Sequence, residues 1–237
     1  MKVIDVPLLA GLGWIRQAFA LFRGQPVGWI SLVSCWFLLS MAVMLLVPLI
    51  GPMIALTLLQ PALFAGLILA AVDQQKGLPV TPRYLFAGFR ANGRALLTIG
   101  SITLLIEMGV VGILSMLGFP GTIPLEESGM PNMKAFAEQF QGKEWLILLG
   151  FLMMMSIKGF LWFTSALLAT QKMPPTHAMR WSFYAVVANF LPIVLFGAMM
   201  FVLFFLAAIP WLLGFMVWIP VYALSHYVSF RQVFSDD

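Results

Sequence analysis

Apolar residues run for about twenty positions at a time along this chain, and polar residues gather between the runs. The runs fall at 27–48, 53–72, 95–118, 145–170, 191–208 and 211–228. Each is long enough to cross a hydrocarbon layer of about 30 Å as a helix, so the pattern predicts an all-α chain with six membrane spans. Gly51 and Pro52 break the apolar stretch between the first two runs, and Pro210 in "AIPW" divides the last two. Proline removes a backbone donor, and tight reversals need permissive dihedrals.

The polar interruptions carry a pattern of their own. "RQAFALFRGQP" (16–26), "RYLFAGFRANG" (83–93) and "RWSFYAVVANF" (180–190) can be set in register. Arg16, Arg83 and Arg180 then share one position, followed three residues on by Phe19, Phe86 and Phe183. Six on stand Phe22, Phe89 and Val186, and nine on Gln25, Asn92 and Asn189. At about 100° per residue the arginine and the position seven later lie on one helical face, as Arg16 with Arg23 and Arg83 with Arg90, while the aromatics lie opposite. Arg94 continues the polar face of the second copy, and Leu8, Leu12 and Ile15 extend the apolar face of the first.

This is the pattern of a short helix in the cytoplasmic interface, with rings in the acyl boundary and Arg16, Arg23, Arg83, Arg90, Arg94 and Arg180 among anionic headgroups. An ordinary polar loop is the alternative. Each copy precedes two apolar runs, so the expected organisation is one membrane domain over 1–237 built of three parallel repeats, 8–72, 80–170 and 176–228, in a pseudo-threefold bundle. "QKGLPVTPR" (75–83) and "QKMPPTHAMR" (171–180), which lead into the second and third copies, also agree loosely. The second repeat holds an outer loop, 119–144. Within it Asn132 as N-cap, Phe136 and Phe140 one turn apart and Gly142 as a stop predict a short amphipathic helix, unless the loop is mobile.

Charge orients this arrangement. Lys2, Arg16, Arg23, Lys76, Arg83, Arg90, Arg94, Lys172, Arg180 and Arg231 fall on one side, whereas Lys134 and Lys143 on the other are outnumbered by Glu126, Glu127, Glu138 and Glu144. The lysine and arginine bias places both ends in the cytoplasm and the 119–144 loop outside. With 62% hydrophobic and 9% charged residues, no water-soluble surface can be built. The net charge of +4 reads as this bias and as attraction to anionic lipid, not as a nucleic-acid footprint. A signal-peptide reading of "VPLLAGLGWI" is opposed by Arg16 and Arg23. The single Cys35 lies in the first run, which excludes an intrachain disulfide and leaves it as a packing residue.

Chemistry is sparse. There is no phosphate loop, nucleophile elbow or metal-spaced histidine pair, so neither catalysis, cofactor nor metal is expected. His177 falls in the basic loop before the third interfacial segment. His226, in "LSHYVSF", falls at the inner end of the last span, as an interface anchor beside Tyr227 or as a pH-sensing, headgroup-binding or lipid-modifying group. Intramembrane charge is the anomaly. Glu107 and Lys158 each stand 12 residues from the inner end of their span, near Ala95 and Thr170. At 1.5 Å per residue both are about 18 Å deep and can meet. Repeat register places Ser40 and Gln60 at similar depth. The pair is either a structural link between spans three and four or, with Ser40 and Gln60, a substrate or proton site. Ala62, Gly66 and Ala70 form a small-residue stripe that permits close helix packing.

"GWIRQAFALFRGQP" leading to "VPLIGP" and then "LFAGFR" resembles an uncharacterised family of proteobacterial inner-membrane proteins, over about the first 110 residues and in layout beyond. The resemblance implies a bacterial inner-membrane location and supplies no activity. The layout is also distantly similar to the membrane domain attached to some glycerophosphodiester phosphodiesterases, whose catalytic domain is missing here. The functional expectation is a non-enzymatic scaffold, assembly or membrane-organising protein that binds anionic lipid and inner-membrane protein partners. The alternative is a small-solute or ion-coupled transporter.

Overall fold

A computed structural model describes residues 2–48, 51–120, 124, 130, 132–171, 173–209 and 213–235. Glu126, Glu127, Lys172 and Pro210, used above for orientation and for the last reversal, lie outside the described residues, as do Trp211 and Leu212 at the start of the sixth run. Those described are almost all helical: α1 (Ala10–Gly24), α2 (Pro26–Leu46), α3 (Gly51–Gln75), a 3₁₀ turn (Pro82–Phe86), α4 (Ala87–Met116), α5 (Met133–Glu138), α6 (Glu144–Phe160), α7 (Thr164–Thr170), α8 (Pro175–Ala188), α9 (Phe190–Ala208) and α10 (Phe215–Val233). The strands β1 (Lys2–Val3) and β2 (Phe234–Ser235) pair antiparallel, Lys2 with Ser235 and Val3 with Phe234.

Among the described residues, five segments are long and apolar enough to cross a membrane: Pro26–Leu46, Gly51–Gln75, Pro82–Met116, Glu144–Thr170 and Phe190–Ala208. Local chemistry sets several boundaries. Pro26 and Pro175 stand at helix starts, where the missing N–H has no intrahelical partner to lose. Gly77, at φ +83°, closes α3 by donating to Gln74 O while Leu78 N donates to Asp73 O. Gly118, at φ +90°, repeats that pairing after α4, with Gly118 N to Ser115 O and Phe119 N to Leu114 O. Both turns need the left-handed backbone that glycine adopts without a steric cost.

The chain forms two compact units. The first comprises Met1–Ser101 with Phe160–Asp237. Its centre is α10, which packs against α1, α2, α3, α7 and α9 and is buried on every side from Val221 to Val233 save at Tyr222, Arg231 and Gln232. A helix enclosed all round has no lipid face to keep apolar. Ser225 and Ser229 sit there with their hydroxyls donating to the carbonyls of Val221 and His226. On α1 the buried stripe is Ala10, Gly11, Trp14, Ala18 and Phe22, while Leu8 and Leu12 are exposed and Ile15 half-buried. The small residues allow the backbone to approach α9, where a side chain at Gly11 would overlap Pro192 O.

The second unit is Ile102–Gly159. Val110, Leu114 and Leu146 form its core with Phe119, Leu149, Met153, Met154 and Ile157 around them. Asn132 caps α5, its side-chain oxygen accepting from Ala135 N at 2.9 Å, and the Phe136 and Phe140 rings meet edge to face at 5.1 Å. This helix stops at Glu138, and the turn runs on to Gly142 at φ +73°.

Candidate functional site

The three arginine-bearing segments fold alike in one respect. A helical stretch runs to a single residue with non-helical backbone, and a long helix leaves it. That residue is Gln25 (φ −145°, ψ 59°), Asn92 (φ −157°, ψ 51°) and Asn189 (φ −110°, ψ 32°) in turn. Each carries a side-chain amide that bonds to backbone elsewhere. Gln25 donates to Leu78 O at 3.0 Å and accepts from Val80 N at 2.7 Å. Asn92 donates to Leu168 O at 3.3 Å. Asn189, fully buried, accepts from Val6 N at 2.9 Å and donates to Ile4 O and Ala185 O, both at 3.1 Å.

Arg16, Arg23, Arg83, Arg90, Arg94 and Arg180 are all exposed. Among the described residues the ion pairs are Lys76–Asp73 and Lys158–Glu107, so none of the six arginines has a carboxylate partner. Phe19, Phe86 and Phe183 are 45%, 48% and 44% exposed, equivalent in environment as well as in register. Phe22 and Val186, three residues on, turn inward to the core, and Phe89 is half-buried. The Arg23 guanidinium lies 5.7 Å from the Phe19 ring centre, so that ring stands beside an arginine and not opposite it. The reason is spacing: Phe19 and Arg23 are one turn apart.

The structure places Ala62, Gly66 and Ala70 in contact-buried positions on α3. A side chain at Gly66 would overlap Tyr84 O, and one at Gly88 would overlap Ala62 O, so this stripe receives the 82–88 segment backbone to backbone.

In the second unit Lys158 Nζ donates to Glu107 Oε1 at 2.7 Å. The lysine side chain is 44% exposed and that of the glutamate 18%, so the pair stands at the edge of its unit and is not enclosed by it. In the first unit Ser40 is half-buried and Gln60 exposed, and neither side chain bonds to a described residue. The structure therefore joins Glu107 to Lys158 and draws neither Ser40 nor Gln60 into a hydrogen bond.

His177 is exposed on the first turn of α8. His226 faces the interior of the first unit. It is 5% exposed, stacked on Trp162 with centroids 3.6 Å apart, and edged by Phe64 at 4.8 Å and Tyr222 at 4.7 Å. Its Nε2, with Trp162 Nε1 and Thr164 Oγ1, is buried without a hydrogen-bond partner among the described residues. Tyr227, its neighbour, is buried too and donates to Gln75 Oε1 at 3.1 Å. The inward turn follows from the central position of α10, which composition alone does not reveal.

Further polar residues join helix ends without having been singled out by the sequence. Trp14 Nε1 donates to Gln232 Oε1 and Trp29 Nε1 to Gln74 Oε1, each at 2.7 Å, and Gln74 Nε2 donates to Leu21 O at 2.7 Å. The legible signal is a glutamine at a span end paired with a tryptophan near another, since buried indole N–H groups require an acceptor.

Long apolar helices with exposed lipid-compatible surfaces, and few charges within them, define a helical membrane protein. Among curated proteins, a probable inner membrane protein of Burkholderia thailandensis is 30% identical over 225 residues, which cover 90% of this chain and 82% of that protein. The chain belongs to that family of probable inner membrane proteins. No family model matches it, and no solved structure does.

Proposed function

We propose that this protein is a six-span, non-enzymatic platform of the inner membrane, which gathers anionic lipid along its cytoplasmic rim and organises the membrane around protein partners. Three arginine-bearing interfacial segments form the rim. The observation that carries this reading is the six exposed arginines without a carboxylate partner among the described residues. Unpaired guanidinium groups beside exposed rings suit phosphate headgroups at the acyl boundary.

Two facts support the architecture. The pairing of β1 with β2 holds both ends of the chain together, and ends on one side require an even number of crossings. Five apolar segments and α10, whose 19 residues extend about 28 Å, make six. The repeats are supported by the breaks at Gln25, Asn92 and Asn189 and by the direction of their amides. Each reaches backbone that precedes the next interfacial segment: Gln25 to Leu78 and Val80, Asn92 to Leu168, and Asn189 round to Ile4 and Val6. The interfacial segments pack in the same order. The 82–86 turn lies on α2 and α3, α8 on α7, and α1 on α9 and α10. The three repeats close a ring.

The direct Glu107–Lys158 bond supports a docking role, since each charge already has its counter-ion. The platform reading is tested by extracting the protein from native membranes in polymer discs and analysing the lipid and protein held with it. Anionic lipid above the bulk membrane content is expected, together with a reproducible protein partner, and replacing the six arginines with glutamine should abolish the lipid excess. Discs with bulk lipid composition and no partner would refute it.

A further inference from the structure

The fourth apolar run is not one helix. It breaks between α6 and α7 at Leu161–Phe163, and α8 crosses the break: Ser182 Oγ donates to Phe160 O at 2.8 Å and accepts from Phe163 N at 3.0 Å. The buried serine thus takes up backbone groups that the break frees. Its neighbours on α8 point outward, and between them and the end of α6 opens a groove of about 260 Å³. Phe160, Leu161, Met179 and Phe183 give it an apolar lining; Arg180 and Tyr184 are the polar members. The Phe160 and Phe183 rings lie 5.0 Å apart, and both remain over 40% exposed, with relative exposures of 41% and 44%. Arg180 and Tyr184 are one turn apart, which brings guanidinium and hydroxyl to one side.

We propose that this groove seats one anionic phospholipid, the phosphate on the Arg180 guanidinium with the Tyr184 hydroxyl beside it, and an acyl chain across Phe160 and Phe183. The assignment rests on the lipid-binding reading above and narrows it to one site. Three arguments select the ligand. The guanidinium fork matches phosphate oxygens and has no carboxylate to satisfy it among the described residues. The apolar lining has nothing to offer a free inorganic anion. The groove is open and smaller than the roughly 300–1,000 Å³ of an enclosed small-molecule pocket, which suits a headgroup and the first part of a chain whose remainder stays in the bilayer.

The test uses the purified full chain in detergent, with lipids counted by native mass spectrometry. One phosphatidylglycerol is expected to outlast all others, with phosphatidylethanolamine held more weakly. Arg180→Gln should weaken it about tenfold or more, as loss of a charge-assisted bidentate contact does. Arg180→Lys should recover part of the affinity and Phe183→Ser should lose most of it, while Lys134→Gln, in the 119–144 loop, leaves it unchanged. Because Arg180 and Phe183 are exposed, circular dichroism should show all variants folded. If Arg180→Gln holds the lipid as wild type does, while replacing the other five arginines releases it, the seat is wrong and the wider reading stands. If inorganic phosphate displaces the lipid at equal concentration, the groove binds an anion and the proposal falls. If the wild type has no preference for phosphatidylglycerol, both fall.

Discussion

Asn189→Ala is the sharpest probe of the proposed ring of repeats. The side chain is wholly buried and makes three hydrogen bonds, to Val6 N, Ile4 O and Ala185 O. These losses are unequal. Ala185 O keeps the backbone N–H of Asn189, and Ile4 is exposed enough for water to reach its carbonyl. Val6 N–H, half-buried, is left without its acceptor. Net losses of about 1 kcal/mol for each of the two bonds to the N-terminal segment, with a further fraction for the stranded donor, give about 2–3 kcal/mol. That corresponds to a fall of roughly 5–10 °C in the midpoint of thermal unfolding for a chain of this size. Asn189→Asp should do no better, because it retains the acceptor but sets an oxygen against two carbonyls. The equivalent residues supply an internal scale. Gln25→Ala loses two bonds and Asn92→Ala one long bond of 3.3 Å, so the expected order of destabilisation is Asn189, Gln25, Asn92. Thermal unfolding in detergent, with limited proteolysis of the first ten residues as a local readout, measures both the size and the order. Three equal midpoints, or a largest effect at Asn92, would refute the argument that these amides bind the ring together.

The Glu107–Lys158 pair separates docking from transport: Glu107→Gln or Lys158→Met alone leaves one charge unpaired, at roughly 2.5–3.5 kcal/mol on insertion scales, and should lower expression and thermal stability. The double replacement should recover most of both, whereas a stable, correctly inserted double variant without the protein's cellular phenotype would turn the balance towards transport. Topology is checked by reporters fused after Ser235 and inserted at Lys134, which should report cytoplasmic and extracytoplasmic positions respectively. An extracytoplasmic signal from the first would refute the cytoplasmic placement of the two ends that β1 and β2 hold together.

Several of these features could be read directly in the sequence. Apolar runs locate the five long segments because a lipid-facing helix has to be apolar along its length. Equal depth brought Glu107 and Lys158 together, since 1.5 Å per residue applies to any helix, but depth says nothing about how exposed the lysine is. Register aligned Gln25, Asn92 and Asn189, although not their role in joining segments far apart in the chain. The break at Leu161–Phe163 was hard to read, because Gly159 alone precedes it, no proline marks it and its freed groups are taken up by Ser182, nineteen and more residues away. Burial of His226 was hidden for a related reason. Periodicity reports one face against another, and α10 has no free face to contrast.

The position of α10 also bears on the order in which the protein is made. The helix that contacts α1, α2, α3, α7 and α9 leaves the ribosome after all of them, and the strand that follows it pairs with Lys2 and Val3. Until then the first unit lacks its middle, and helices already inserted surround a space that nothing in the nascent chain can fill. The first unit therefore gains its middle only after the helices around it have been made, and a variant cut before α10 is expected to insert those helices without a core to pack on.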